Sequence, residues 1–413
     1  MPTSRATTVR DLRKSNQART LWELYLHGPL TYHEVAASVG VSLATVSNVM
    51  GDLIRLGAVT EVGMEDSNGG RPRGLFHVNP EYGYVVGVDV GETAVLVELF
   101  DLGMKLRASH RSLTQHTRLD PQEVVDQVVD GLNAVVDESG VARTSILGVG
   151  VGVPGLVERG VETVVYDQGA GWGVVPFERM LRARIHLPLV VDNGANTLGQ
   201  AERWFGAARE SVNAIIVLLG AGVGASIVAM PVEYDEARAF AGEFGHTSVL
   251  AGGRVCPCGA KGHLEAYAGA DAIVARYDHL KRHRHAANPS EVEERMIAIL
   301  KAEDSDHIAA QVIEELVLYL GVGIANLVNL FTPDRIVIGG WVGNALNDRM
   351  LPRIRDAVEA NALTRPFGRL EIVRAELGTD AVALGAATLP VAEFLRSGGA
   401  PTVAPRVRRG LAS

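Results

Sequence analysis

The sequence predicts an α/β protein with buried sheets, preceded by a small α+β winged helix-turn-helix unit. Helical periodicity with cap and stop signals fills the first eighty residues, strand-like apolar runs alternate with helical stretches from Tyr84 onward, and several of those runs end in glycine-bearing turns. With 413 residues, 47% of them hydrophobic and 21% charged, the chain holds two or three globular units and is too mixed to be disordered.

A first helix carries Leu12, Leu21, Leu24 and Tyr25 and stops at Gly28-Pro29, because proline supplies no backbone donor. Thr31-Tyr-His-Glu34 then has the form of a capping box, and Val35, Ala36 and Val39 share one face of a second helix that Gly40 ends. Ser42 caps a third. Its apolar face is Val46, Val49 and Leu53 with Ile54 and Leu56, which leaves Thr45, Ser47 and Asn48 pointing outward near its start. This is helix-turn-helix spacing with the third helix as reader of the major groove, so the expected DNA-contacting residues are Ser42, Thr45, Ser47 and Asn48. Ala58–Val62 and Gly74–Val78 read as the strands of a wing joined through Asn68–Pro72. At its tip Arg71 suits the narrow, negative minor groove, where guanidinium is favoured over a hydrated ammonium.

Beyond Tyr84 the expected strands are Val85–Val90, Val95–Leu99, Ile146–Val153, Leu189–Val191, Ala214–Leu219 and Ile336–Ile338. Two glycine-bearing turns follow strands, Asp89-Val-Gly91 and Gly220-Ala-Gly222-Val-Gly224, and each lets backbone amides approach an anion.

The formal charge is −9, yet residues 1–79 carry eight Lys/Arg against seven Asp/Glu, and the first twenty carry five against one. A basic arm on an acidic body confines phosphate affinity to the small unit. The only cysteines, Cys256 and Cys258, stand too close together for a disulfide and suit metal ligation in a reducing compartment. No 18-residue run is wholly apolar and Met1–Ser15 is polar and basic, so the expectation is a cytoplasmic protein without a membrane partner.

The order of motifs then becomes informative: Gly87-Val-Asp89-Val-Gly91, Gly152-Val-Pro154-Gly155, Asp192-Asn193-Gly-Ala-Asn196, Gly242-Glu243-Phe-Gly-His246, Cys256-Pro-Cys258-Gly259-Ala-Lys-Gly262-His263-Leu-Glu265 and Pro333–Gly340. This series resembles the ROK family of repressors and sugar kinases along nearly its whole length, and the Gly-Gly-Arg-Pro wing resembles that of the family's regulator branch. The resemblance implies a two-lobed actin-like ATPase (ribonuclease-H-like) sugar-kinase fold after the winged domain. It further implies a sugar in the interlobe cleft, a structural zinc, and a homodimer or homotetramer. The expected division is 1–80 for DNA, 81–396 for the two lobes, and a disordered tail over 397–413.

By position, the resemblance assigns Asn193, Glu243, His246 and Glu265 to sugar hydroxyls. His246, Cys256, Cys258 and His263 offer two imidazoles and two thiolates, a closed set suited to structural Zn²⁺. The family usually has a third cysteine at position 263, so a longer ligand replaces a thiolate there. His246 would bind metal through one ring nitrogen and face the sugar with the other.

Phosphoryl transfer needs a base beside the sugar hydroxyl. The active kinases carry Asn-Asp-Ala-Asn, whereas this chain carries Asn193-Gly194-Ala195-Asn196, and glycine accepts no proton. The family's Asp-x-Gly-Gly-Thr-Lys appears as Asp89-Val-Gly91-Glu92-Thr93-Ala94, which removes a cation and adds an anion beside the phosphates. The expectation is therefore a non-catalytic, sugar-responsive DNA-binding transcriptional regulator of carbohydrate genes, a repressor by preference, acting on an inverted-repeat operator in double-stranded DNA. The alternative is an ATP-dependent hexose kinase with an appended DNA-binding domain.

Overall fold

The computed structural model describes residues 9–65, 72–91, 93–113, 120–160, 162–167, 171–229, 242–282 and 289–400; Arg71 and Glu92 lie outside them. Three helices open the chain: α1 (Val9–His27), α2 (Tyr32–Val39) and α3 (Leu43–Leu56). Thr31 accepts from the Glu34 amide while the Glu34 carboxylate accepts from the Thr31 amide, closing the expected capping box. Ser42 caps α3 by accepting from the Thr45 amide, and Gly40 and Gly57 end α2 and α3 at φ 71° and 82°, a left-handed turn that glycine adopts without strain. The chain bends by 113° between α2 and α3, within the helix-turn-helix range. Strands β1 (Val59–Glu65) and β2 (Arg73–Val78) pair antiparallel as the wing, and Leu30 bridges to Phe76. Strand β1 runs three residues past the expected end, and Ile54 and Leu56 are 40% and 44% exposed, off the face that Val46, Val49 and Leu53 bury.

The first lobe is built on a five-stranded sheet, β10-β6-β3-β4-β5. It contains β3 (Tyr84–Val90), β4 (Ala94–Asp101), β5 (Leu106–Leu113), helix α4 (Pro121–Ser139) and β6 (Ile146–Val153). A small sheet of β7 (Leu156–Glu158), β8 (Val164–Asp167) and β9 (Trp172–Val175) precedes α5 (Phe177–Arg182), β10 (Leu189–Asn193) and α6 (Gly194–Phe205). Strands β3, β6 and β10 are parallel, and β4 and β5 antiparallel. Helix α4 covers one face with Val124, Val128 and Val135.

The second lobe has the sheet β12-β11-β13-β14. It comprises β11 (Asn213–Leu219), β12 (Val223–Ala229), α7 (Glu265–Ala268), α8 (Ala270–Lys281), α9 (Pro289–Lys301), α10 (His307–Phe331) and β13 (Arg335–Gly339). Helices α11 (Gly340–Ala345), α12 (Met350–Glu359) and α13 (Thr364–Phe367) and strand β14 (Glu371–Arg374) follow. Helix α10 is long and apolar enough to cross a membrane by length and composition, but Ile313, Leu316, Leu320 and Ile324 are buried in this lobe's core.

The chain then returns to the first lobe as α14 (Ala381–Arg396), which lies on β3 and β6 beside α6. The fit is close enough to need glycine: a Cβ on Gly385 would stand 1.8 Å from the Thr197 carbonyl oxygen, and one on Gly150 1.8 Å from that of Ala386. At their far ends α6 and α14 meet the winged domain. Leu21, Leu24, Met50 and Leu53 form one buried cluster with Trp204 of α6 and Phe394 and Leu395 of α14. Trp204 stands edge-on to Trp22 and Tyr25, with ring centroids 5.3 and 5.6 Å away. Ser397–Ala400, the start of the expected tail, stay on this surface, where the Tyr82 hydroxyl donates to the Gly399 carbonyl at 3.2 Å; residues 401–413 lie outside the described residues.

Candidate functional site

A cavity of about 190 Å³ opens between the lobes. Its floor comes from strand ends, where Asp89 is the next-to-last residue of β3, Pro154 and Gly155 follow β6, and Asn193 ends β10; this is where open α/β sheets present their ligand sites. Its far wall comes from the Gly220–Gly224 turn and from Glu243, His246 and Glu265, while Thr379 and Val382 reach it from the start of α14.

The four expected sugar residues all line this one cavity. Asn193 is also the cap of α6: its Oδ1 accepts from the Ala195 amide at 2.8 Å and the Asn196 amide at 3.3 Å, and its Nδ2 donates to the Gly155 carbonyl at 2.6 Å. Glu265 accepts from the Val223 amide at 3.2 Å, tying α7 to the glycine turn. The Glu243 carboxylate lies 3.7 Å from His246 Nε2. Burial pushes the Glu243 acid up, against the pull of His246, with Asp167 and Glu265 adding to the rise. Asp89, half-buried at the floor, is pushed up to about 7, chiefly by desolvation; Arg111 opposes the rise and Asp380 adds to it.

At residue 194 the cavity has no carboxylate. A Cβ there would meet nothing nearer than the Val153 carbonyl oxygen at 3.6 Å, so a side chain fits and glycine is no packing necessity. The lining residues that sequence reading missed are Asp167, Trp341, Thr379 and Val382. Asp167 sits in a strand of only four residues and Thr379 and Val382 arrive from a distant segment, so no local motif marks these three, whereas Trp341 directly follows the Pro333–Gly340 motif.

Beside the cavity, the ligand atoms of His246, Cys256, Cys258 and His263 all lie within 4.8 Å of one another. Cys256 Sγ is 3.6 Å from His246 Nδ1 and Cys258 Sγ 3.3 Å from His263 Nδ1. A tetrahedral zinc at ordinary bond lengths sets neighbouring sulfur and nitrogen ligands about 3.6 Å apart, so the residues present fit that ion. Position 263 is fixed by its neighbour: Gly262, at φ 79°, packs where a Cβ would stand 1.7 Å from the Leu250 carbonyl oxygen. His246 turns Nδ1 to the sulfurs and Nε2 to Glu243, and so joins the cluster to the cavity wall.

On the winged domain, Ser42, Ser47 and Asn48 are exposed along the open side of α3, and Thr45 is half-buried with its hydroxyl 2.9 Å from that of Ser42. Asp52, further along α3, pairs with Arg13 and Arg55. Arg71 of the expected set lies outside the described residues.

Residues 85–393 match the ROK family. A putative xylose repressor of Caldicellulosiruptor sp. (strain Rt8B.4) is 30% identical over 389 residues, covering 93% of this chain and 97% of that one. A glucokinase of Halalkalibacterium halodurans is also 30% identical, over 309 residues, but covers 73% of this chain and 93% of its own. The fold matches the crystal structure of a ROK family transcriptional regulator, a homologue of the E. coli MLC protein, with a TM-score of 0.76 at 23% identity over 94% of this chain and 98% of that one. The sequence, the two-lobed α/β fold and the placement of the motifs around one cleft lead to the same conclusion: the chain belongs to the ROK family.

Proposed function

We propose that this protein is a sugar-responsive, DNA-binding transcriptional repressor of carbohydrate genes that has lost kinase chemistry and kept a sugar cleft. The observation that carries the reading is mechanical. Helix α6 begins at Asn193 on the cavity floor and ends near Trp204 against α1, while α14 begins beside Val382 and ends with Phe394 against the same domain. Two rigid helices therefore join the sugar site to the base of the reading head, and a ligand that prefers one arrangement of the lobes biases the other end. A repressor relative that aligns over 93% of this chain, against 73% for the glucokinase, supports the same reading.

In this account residues 1–80 hold operator DNA, with Ser42, Thr45, Ser47 and Asn48 on base edges and Arg71 in the minor groove, and residues 81–396 hold the sugar. A homodimer or homotetramer places two reading heads on an inverted repeat. Asn193, Glu243, His246 and Glu265 bind the sugar hydroxyls. Structural zinc on His246, Cys256, Cys258 and His263 holds the wall that carries His246. Gly194 leaves the sugar without the proton acceptor of the kinases, a loss of typically about 10² to 10⁴ in rate. The competing reading, hexose phosphorylation, draws on the glucokinase likeness. Selection from a random DNA library by the full chain tests the reading: an enriched inverted repeat is expected, and failure to enrich any sequence refutes it.

A further inference from the structure

The chain passes between the two main sheets twice. Residues 206–212 lead from α6, which starts at the end of β10, to β11 of the second lobe, and residues 375–380 lead back from β14 to α14. A change in the angle between the lobes falls on these two segments, because the elements on either side are packed. The returning segment also carries Thr379, which lines the sugar cavity.

One carboxylate holds both crossings. Glu202, fully buried near the end of α6, accepts from the Ala207 amide at 2.8 Å on the outgoing segment and from the Leu377 and Glu376 amides at 3.2 and 3.4 Å on the returning one. Burial raises its acid, and the same three amides oppose the rise. The chain is shaped to admit this group: a Cβ on Gly206 would stand 2.1 Å from Glu202 Oε2 and 3.1 Å from Leu377 Cγ, so glycine lets both crossings close on it. The neighbouring Arg203 donates through Nη1 to the carbonyls of Ala208, Arg209 and Ser211 at 2.8, 2.7 and 2.9 Å, which fixes the outgoing segment to the same helix. Asp334, just ahead of β13, accepts from the Val212 amide at 2.8 Å, so the far end of that segment moves with the second lobe.

Trp204 comes next in sequence, and a helix turns about 100° per residue. A single turn of α6 therefore points Glu202 and Arg203 at the crossings and Trp204 at Trp22 and Tyr25 of α1. Glu202 is not among the described residues that line the sugar cavity, so it meets the ligand only through the lobes.

We propose that Glu202 is the positioning residue of the sugar response: it ties both lobe crossings to the last turn of α6, so that closure of the lobes turns that end of the helix and shifts Trp204 against α1. The inference rests on the sugar-responsive reading above and deepens it by assigning the point of transmission. A bound sugar draws the second lobe in, the crossings follow it, and the carboxylate, holding its three amides, carries the movement to the seat of the winged domain.

The test is hydrogen exchange read by mass spectrometry on the full-length protein, together with operator Kd on the inverted repeat which that protein selects, using D-xylose, D-glucose and N-acetyl-D-glucosamine as the sugars. In the wild-type protein the sugar that shifts operator Kd should alter protection in 206–212, in 375–380 and in 19–27 of α1 together; crossings that do not respond overturn the assignment. Glu202→Gln keeps the shape but removes the charge and one acceptor oxygen. Without sugar it should speed exchange in all three segments at least about tenfold, the scale of losing a hydrogen bond to a charged group, and leave β6 and β11 as they were. The ratio of operator Kd with and without sugar should fall from at least about fivefold to within about twofold of one, while the sugar Kd changes by less than about threefold. Gly206→Ala, which displaces the carboxylate without altering it, should act in the same direction. A wild-type Kd ratio in Glu202→Gln overturns the assignment and leaves the sugar-responsive reading intact. So does equal loss of protection in β6 and β11, which would make the group structural only. If none of the three sugars shifts operator Kd in the wild-type protein, both readings fall.

Discussion

Truncating Trp204 to alanine should uncouple the sugar site from the reading head. The indole is 3% exposed at the far end of α6, in edge contact with Trp22 and Tyr25 of α1 and with its neighbour Phe205. Removing a buried tryptophan typically costs about 3–5 kcal/mol, and each lost aromatic pair accounts for about 0.5–1.5 kcal/mol beyond area burial. Its Nε1–H finds no acceptor among the described residues, which places the expected loss near the low end, about 3 kcal/mol. Much of that loss falls on the contact between α1 and the first lobe, so the winged domain should melt before the lobes in a calorimetric scan. Allosteric coupling is typically about 1–3 kcal/mol, a factor of roughly 5 to 150 in affinity. The ratio of operator Kd with and without effector should therefore fall toward one in Trp204→Ala, with sugar affinity retained. Trp22→Ala, which removes the partner ring from the other side, should act in the same direction. A folded Trp204→Ala protein with the wild-type Kd ratio and a single melting transition would refute the argument.

The purified protein should hold about one zinc per chain by elemental analysis, and Cys258→Ser should abolish that metal and weaken sugar binding through His246. Ser47→Ala with Asn48→Ala should weaken specific DNA binding by about tenfold or more, at about 1–3 kcal/mol per good base contact, yet leave the salt dependence unchanged, since the contacts proposed for both residues are to base edges and not to phosphate. Asp89 is raised to about 7 in the folded chain, so between the ordinary carboxylate range and pH 7 the native state holds more protons than the unfolded one. Stability should accordingly fall as pH rises through that window, and Asp89→Asn should flatten the slope seen in denaturant titrations.

Local chemistry made the winged domain legible. The Thr31 box, the Ser42 cap and the glycines after α2 and α3 each fix a helix end through neighbours in sequence, and the structure has those bonds. Buried strands such as β6 and β11 were legible as apolar runs, whereas β5 was not, because its burial alternates and its polar residues face outward at the sheet edge. The metal cluster and four cleft residues were found through the resemblance and not through periodicity. Asp167 and Val382 escaped because the cleft assembles from segments more than two hundred residues apart. The seam between the winged domain and the lobes escaped for the same reason. Trp22 and Trp204, or Tyr82 and Gly399, carry no mark of their partnership until α14 folds back over β3 and β6.

The account turns on a cleft that senses a sugar without modifying it. Fluorescence anisotropy of the full-length protein on its selected DNA, titrated with free sugars in the presence of Mg-ATP and read alongside ADP release, measures both halves together. One sugar should shift the DNA affinity at least about fivefold while ADP stays at background. Sugar-dependent ADP release at the kinase scale of about 1–100 s⁻¹, with DNA affinity indifferent to every sugar, would contradict it.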